Sequence, residues 1–143
     1  MTVKLILSSK SRDVATIEPT ASLEAAITQL AQRRIGALVV LGPERRVVGI
    51  LSERDIVRVL AEQGPSVLTA PIAQVMTRKV STCSESDTVS GIMEQMTKGK
   101  FRHVPVVEQG RLAGIISIGD VVKSRVQEME QESAALKDYI RTA

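Results

Sequence analysis

Two stretches of the sequence carry the residues that could do chemistry: Gly49-Ile50-Leu51-Ser52-Glu53-Arg54-Asp55-Ile56-Val57 and Gly114-Ile115-Ile116-Ser117-Ile118-Gly119-Asp120-Val121-Val122. Each is a glycine, two aliphatics, a serine, two variable positions, an aspartate and two more aliphatics. The pattern predicts the end of a buried strand running into the first turn of a helix, with the serine at the junction. A serine followed three positions later by an acid at such a junction is a capping box, which satisfies backbone N–H groups that the helix leaves free. The same geometry also suits a ligand. The N–H groups and dipole of a helix start favour phosphate, and a fixed carboxylate can accept two hydrogen bonds from a vicinal diol, the feature common to ribonucleotides. Spacing alone leaves both readings open, with capping the plainer one.

The elements that position these stretches repeat with them. An amphipathic piece at 3–7 and a polar loop at 8–13 precede a short strand at 14–17. Pro19 and Thr20 break that strand, and Ser22 can cap a helix with an apolar stripe of Leu23, Ala26, Ile27 and Leu30. Gly36 closes this helix. A buried strand at 37–41, a turn at 42–45 and a returning strand at 47–51 then form a hairpin. The helix at 53–62 is expected to bury Ile56, Val57 and Leu60, and residues 63–66 end it. The second half answers in order: 71–76 for the opening piece, 80–82 for the first strand, and Val89, Met93 and Met96 for Leu23, Ile27 and Leu30. The offset is 89 − 23 = 66 before the second hairpin turn and 114 − 49 = 65 after it, because the turn Glu108-Gln109-Gly110 is one residue shorter. A turn is where a structural repeat tolerates a gap. Either copy alone buries too little apolar surface, so the expected fold is α+β: two pseudo-symmetric β-α-β-β-α repeats packed sheet to sheet.

Composition bounds the function. A chain of 143 residues that is 43% hydrophobic has the material for one ordinary core or two small ones. Its longest apolar run, 37–41, falls far short of the roughly 20 residues of a membrane span, and no apolar leader core stands at the N-terminus, so the expectation is a soluble, cytoplasmic protein. The single cysteine, Cys83, rules out an internal disulfide or a multi-cysteine metal cluster, and no metal is expected. A net charge of +3 with 1% aromatic residues argues against nucleic acid as a partner. The only histidine, His103, and Cys83 fall in different elements without triad or metal spacing, so no enzymatic activity is expected.

The C-terminus departs from the repeat. Good helix formers continue from Lys123 toward Arg141 without glycine or proline. Val122, Val126, Met129, Ser133, Leu136 and Ile140 recur at spacings of 4, 3, 4, 3 and 4, a heptad-like seam that predicts a helical partner, most economically a second chain.

Taken with Phe101-Arg102-His103-Val104-Pro105-Val106-Val107 before the last hairpin strand, the duplicated signature resembles a tandem pair of cystathionine beta-synthase (CBS) domains, of the stand-alone bacterial type. The resemblance covers about 3–126 and divides the chain into a first repeat at 1–66, a second at 67–126 and a helical extension at 127–143. It implies a non-catalytic regulatory module that binds adenosine-containing ligands in clefts between the repeats: AMP, ADP or ATP, sometimes NAD or S-adenosylmethionine. It implies that Asp55 and Asp120 hold ribose hydroxyls, with Ser52 and Ser117 near ribose or phosphate. It assigns the adenine cradle to Thr16, Ile17, Thr82 and Cys83. The positions before each hairpin would face the clefts: Gly36 and Ala37 in the first copy, Arg102 and His103 in the second, with Val104 and Pro105 after them. Arg54 becomes a candidate phosphate contact, and Gly119 would let a ligand approach the backbone. Because only the second copy offers basic side chains before its hairpin, the sites are expected to be unequal. The family also implies flat homodimers joined through their helices and a protein target that receives the signal. The alternative is a structural or protein-interaction adaptor, or a nucleic-acid-binding subunit, with degenerate ligand sites. The presence of both aspartates speaks against degeneracy.

Overall fold

A computed structural model describes residues 1–142; the last residue of the expected extension, Ala143, lies outside them. The elements are α1 (Val3–Ser8), β1 (Thr16–Ile17), α2 (Leu23–Arg33), β2 (Ala37–Leu41), β3 (Val47–Ser52), α3 (Glu53–Gln63), α4 (Val89–Gly99), β4 (His103–Glu108), β5 (Arg111–Ser117) and α5 (Ile118–Thr142). The fold is α+β, in two related halves.

Local rules repeat in both. Ser22 accepts a hydrogen bond from the Ala25 N–H at 3.1 Å to start α2, and Thr88 accepts one from Gly91 at 3.1 Å to start α4. Each helix buries a stripe at spacings of three and four, Leu23, Ala26 and Leu30 in one and Val89, Ile92 and Met96 in the other. Each ends on a left-handed residue, Arg34 (φ 55°) or Lys100 (φ 57°). Gln29 reaches the Thr16 carbonyl at 3.2 Å, and Gln95, 66 positions on (95 − 29), reaches that of Thr82 at 3.3 Å. In the first half β1 runs parallel to β2, with Thr16 beside Val39, and β2 pairs antiparallel with β3. The second half has the hairpin β4–β5, with a register shift after Val106 matching the one after Val40.

The expected strand at 80–82 is not formed. Cys83 alone makes a parallel bridge to Val106, where its N–H meets the Pro105 carbonyl at 3.0 Å and its carbonyl meets the Val107 N–H at 2.8 Å. The expected strand at 14–17 likewise shrinks to Thr16–Ile17, since only those two residues find ladder partners on β2.

Two apolar cores hold the halves, and each takes in the opening piece of the other. Val3, Ile6 and Leu7 of α1 pack with Ile92, Val104 and Ile116, while Ile72, Val75 and Met76 pack with Leu23, Leu38 and Leu51. Backbone bonds fix the exchange: the Val3 N–H to the Asp87 carbonyl at 2.9 Å, and the Ile72 N–H to the Ala21 carbonyl at 2.8 Å. This explains the glycine that opens each signature. A Cβ at Gly114 would lie 2.8 Å from a Leu7 methyl, and one at Gly49 would collide with the Met76 sulfur. A fully buried side chain such as Leu7 contributes roughly 1.5–3 kcal/mol, so neither core is complete without the other half's contribution.

Helix α3 corrects one expectation. Ile56 and Val59 are buried and Leu60 is partly so, but Val57 is 68% exposed. The Ser52 cap sets the phase: it turns Asp55 inward, and the inward face then continues at Ile56 and Val59, leaving Val57 outside. Helix α5 buries Val121 and Ser124 and then leaves the body. Val122, Val126, Met129, Leu136 and Ile140 stay exposed, so the seam has no partner among the described residues. Among the described residues, no helix is long and apolar enough to cross a membrane.

Candidate functional site

Both signatures form capping boxes. The Ser52 hydroxyl accepts from the Asp55 N–H at 3.3 Å and the Asp55 carboxylate accepts from the Ser52 N–H at 3.0 Å. In the second copy the Asp120 N–H meets Ser117 Oγ at 3.2 Å and the Ser117 N–H meets Asp120 Oδ2 at 2.9 Å. The plainer reading of the motif therefore holds in both copies. What distinguishes them is whatever else reaches each carboxylate.

Beside Asp120 lies a cleft of about 530 Å³ between the halves. That volume is within the roughly 300–1,000 Å³ of small-molecule sites. The first half supplies Val14 and Ala15, just ahead of β1, and Gly36 and Ala37 at the start of β2. The second supplies His103, Ile115 and Ser117, while Lys10 and Arg33 bring positive charge and Asp13 negative. Asp120 stands at the edge, bonded to two of the lining residues. Its Oδ2 takes the Lys10 ammonium at 2.7 Å as well as the Ser117 N–H, and Lys10 also reaches the Ile115 carbonyl at 3.0 Å. Burial alone would raise the Asp120 pKa, but the hydrogen bonds and charge of Lys10, with the bonds from Ser117, outweigh it and hold the carboxyl below its ordinary value. The result is an ionised acceptor beside a mostly apolar wall.

His103 faces the same space. Burial pushes its pKa below the ordinary 6.5, against the pull of Glu53 and Asp120 and with the push of Arg102 and Lys10, so the ring is neutral at pH 7. It can donate or accept one hydrogen bond. The Ser117 hydroxyl accepts from the Asp120 N–H and keeps its own O–H to donate. Cys83 is buried in the second core, where burial, helped by Asp87 and Glu108, pushes its pKa up to about 12. Among the described residues, no cluster of three or more His, Cys, Asp or Glu side chains could hold a metal ion.

Around Asp55 the arrangement differs. Its side chain is 8% exposed. Oδ2 accepts from the Ser52 N–H and hydroxyl, at 3.0 and 3.1 Å, and Oδ1 accepts from the Thr77 hydroxyl at 3.2 Å and pairs with Arg58 at 3.3 Å.

The model of the CBS domain family matches residues 7–62 and again 72–126. The chain belongs to the CBS-domain family. As a CBS pair it is 48% identical to the CBS-domain protein ATU1752 of Agrobacterium tumefaciens, with a TM-score of 0.83 over 87% of this chain and 92% of that one. Protein PAE2072 of Pyrobaculum aerophilum, solved in complex with AMP, is 29% identical with a TM-score of 0.75, over 84% and 89% of the two chains. The CBS pair of protein MJ0100, solved with 5'-methylthioadenosine and S-adenosyl-L-methionine, is 27% identical with a TM-score of 0.79, over 90% and 98%. The chain spans 58% of the length of the mitochondrial CBS domain-containing protein CBSX3 of Arabidopsis thaliana, to which it is 35% identical over 120 residues, 81% of this chain.

In this CBS pair the expected site residues separate. Gly36, Ala37, His103 and Ser117 line the cleft, and Asp120, not itself in its wall, bonds Lys10 and Ser117 of that wall. Thr16 and Ile17 lie just beyond it, because the cleft is walled by the extended residues before β1 and not by the strand itself. Cys83, Val104 and Pro105 are buried, the first two among the residues of the second core. Thr82 is exposed and its carbonyl braces Gln95. Arg102 is exposed, and its carbonyl holds the Ile118 N–H at 2.8 Å. Arg54 lies on the surface and donates to the Lys100 carbonyl at 3.2 Å, and Gly119 is exposed in the first turn of α5. Lys10, Arg33 and Ile115 were not among the expected residues. Lys10 sits in a polar loop whose sequence carries no signal of where it folds, while Ile115 stands inside the signature itself and could have been read as cleft wall.

Proposed function

We propose that the chain is a non-catalytic regulatory module that binds an adenine nucleotide in the Asp120 cleft. One observation carries this: a carboxylate held ionised at the rim of a nucleoside-sized, largely apolar cleft that also holds cations. Val14, Ala15, Ala37 and Ile115 offer an apolar bed for a base, Asp120 offers the acceptor that a ribose diol requires, and Lys10 and Arg33 offer charge to phosphate. The AMP bound by PAE2072 and the adenosine derivatives bound by MJ0100 support an adenosine ligand. The bare apolar seam of α5 supports assembly as a homodimer that passes the ligand state to a protein target.

Titration calorimetry of AMP, ATP, adenosine and S-adenosylmethionine into wild type and Asp120→Asn tests this. The phosphorylated ligands should bind best, and hydrogen bonds to a charged acceptor, worth roughly 1.5–3 kcal/mol, imply that Asp120→Asn weakens AMP about 10- to 100-fold. Equal affinity of the two proteins for AMP would place the ligand elsewhere.

A further inference from the structure

The surroundings of the two aspartates are built from equivalent parts but closed by different ones. Leu7 and Met76 fill the same seat, each against the glycine of the opposite signature. From Leu7 to Thr16 the chain advances 16 − 7 = 9 positions, but from Met76 to the equivalent Thr82 only 82 − 76 = 6. The shorter connection holds Thr77 tightly against β3. The Thr77 N–H and carbonyl exchange bonds with Ile50 at 2.9 and 3.0 Å, and its hydroxyl reaches Asp55. In the other half, Ile115 is the counterpart of Ile50 (115 − 50 = 65), and there the Lys10 ammonium does both jobs, bonding the Ile115 carbonyl and Asp120.

A backbone pair cannot swing aside without unpairing the chain, whereas a lysine side chain has four rotatable bonds. The two carboxylates differ accordingly. Both oxygens of Asp55 are engaged, while among the described residues no hydrogen-bond donor meets Oδ1 of Asp120, whose side chain is 22% exposed.

We propose that the chain takes one nucleotide, not two: the Asp120 cleft opens when Lys10 turns from the carboxylate to the ligand's phosphate, and the Asp55 cleft stays shut behind Thr77. The proposal rests on the adenine-nucleotide reading and adds to it a count, a latch and a requirement for an anion. An uncharged nucleoside brings no anion of its own to draw the ammonium from Asp120. A phosphate receives it.

Native mass spectrometry and calorimetry of the full chain with AMP and with adenosine test this in wild type, Asp55→Asn, Thr77→Val and Lys10→Met. One AMP per chain is expected, with Asp55→Asn and Thr77→Val keeping that count and an affinity within about threefold of wild type, since neither residue meets the ligand. Lys10→Met should shrink the preference for AMP over adenosine by about fivefold or more, through the loss of a charge-assisted contact. Thr77→Val keeps the side chain's shape, so it and the wild-type count decide the matter even if the buried Asp55→Asn change prevents folding. Two AMP per chain, a loss of AMP affinity in folded Thr77→Val, or an unchanged preference in Lys10→Met would overturn the proposal. Failure of the underlying reading looks different: wild type would then bind no AMP, and both would fall.

Discussion

Asp55 and Asp120 occupy the same place in the same motif, cap the same kind of helix with the same reciprocal bonds, and yet face different surroundings. One is sealed among Ser52, Thr77 and Arg58, and the other stands at the edge of an open cleft with a lysine across it. The difference originates in neither signature. It comes from the connection that folds over from the opposite half, which brings the Thr77 hydroxyl, anchored by its backbone pair with Ile50, to one carboxylate and the Lys10 ammonium to the other. A motif can specify a helix start completely and still leave its ligand chemistry to a distant loop.

The comparison can be broken most directly at the aspartates. Each accepts hydrogen bonds worth roughly 1.5–3 kcal/mol to a charged group, but the loss should appear in different measurements. Asp120→Asn should weaken nucleotide binding and, because it loosens the α5 cap and the Lys10 pair at a partly exposed site, lower the melting temperature less than Asp55→Asn does. Asp55→Asn should lower the melting temperature in the absence of ligand, because it unpairs buried donors, and should leave binding alone. Thermal unfolding with and without AMP reads both, and the reverse assignment would refute the contrast.

The two helices that these aspartates cap also differ, since α3 stops at Gln63 while α5 runs on to Thr142. Removing residues 129–143 takes away exposed Met129, Leu136 and Ile140. If these meet a second chain, partial burial contributes enough that the dimer constant should weaken by about tenfold or more, corresponding to about 1.4 kcal/mol. Sedimentation equilibrium measures it, and an unchanged constant would assign the seam another role.

A smaller effect separates the hairpins, where His103 stands in the place of Ala37 (103 − 37 = 66). Burial, the largest influence, lowers the His103 pKa in the folded chain, with Glu53 and Asp120 opposing and Arg102 and Lys10 assisting. The unfolded chain therefore takes up a proton first as pH falls. The stability this group contributes is complete above the ordinary value of 6.5 and is lost as pH drops through the lowered folded value. Denaturant midpoints should decline from pH 7.5 to 5, and His103→Gln should flatten the decline. An identical slope in the variant would exclude His103 as its cause.

Much of this was legible in the residues. The repeat, the hairpins and the helix starts are local properties, read from Ser22 and the duplicated Ser-x-x-Asp spacing, and they stand in the structure, whereas α2 is closed by left-handed Arg34, two residues before the expected Gly36. The phase of α3 was misread at Val57 because an apolar residue on a short helix can face either way until the cap sets the rotation. The strand expected at 80–82 depended on pairing with β4, a long-range bond that only Cys83 makes. The exchange of opening pieces between the cores, and with it the position of Lys10, is non-local. Nothing in a polar loop announces a carboxylate 110 residues away (120 − 10). The candidate site was therefore half readable: the carboxylate and the pre-hairpin residues from their motif, the opposing lysine only from the fold.

A crystal structure of the chain grown with AMP tests the central claim most directly. It should show one nucleotide per chain in the Asp120 cleft, the ribose diol on that carboxylate, Lys10 turned to the phosphate, and Asp55 still bonded to Thr77. A nucleotide seated on Asp55, or one bound elsewhere while Lys10 still holds Asp120, would contradict it.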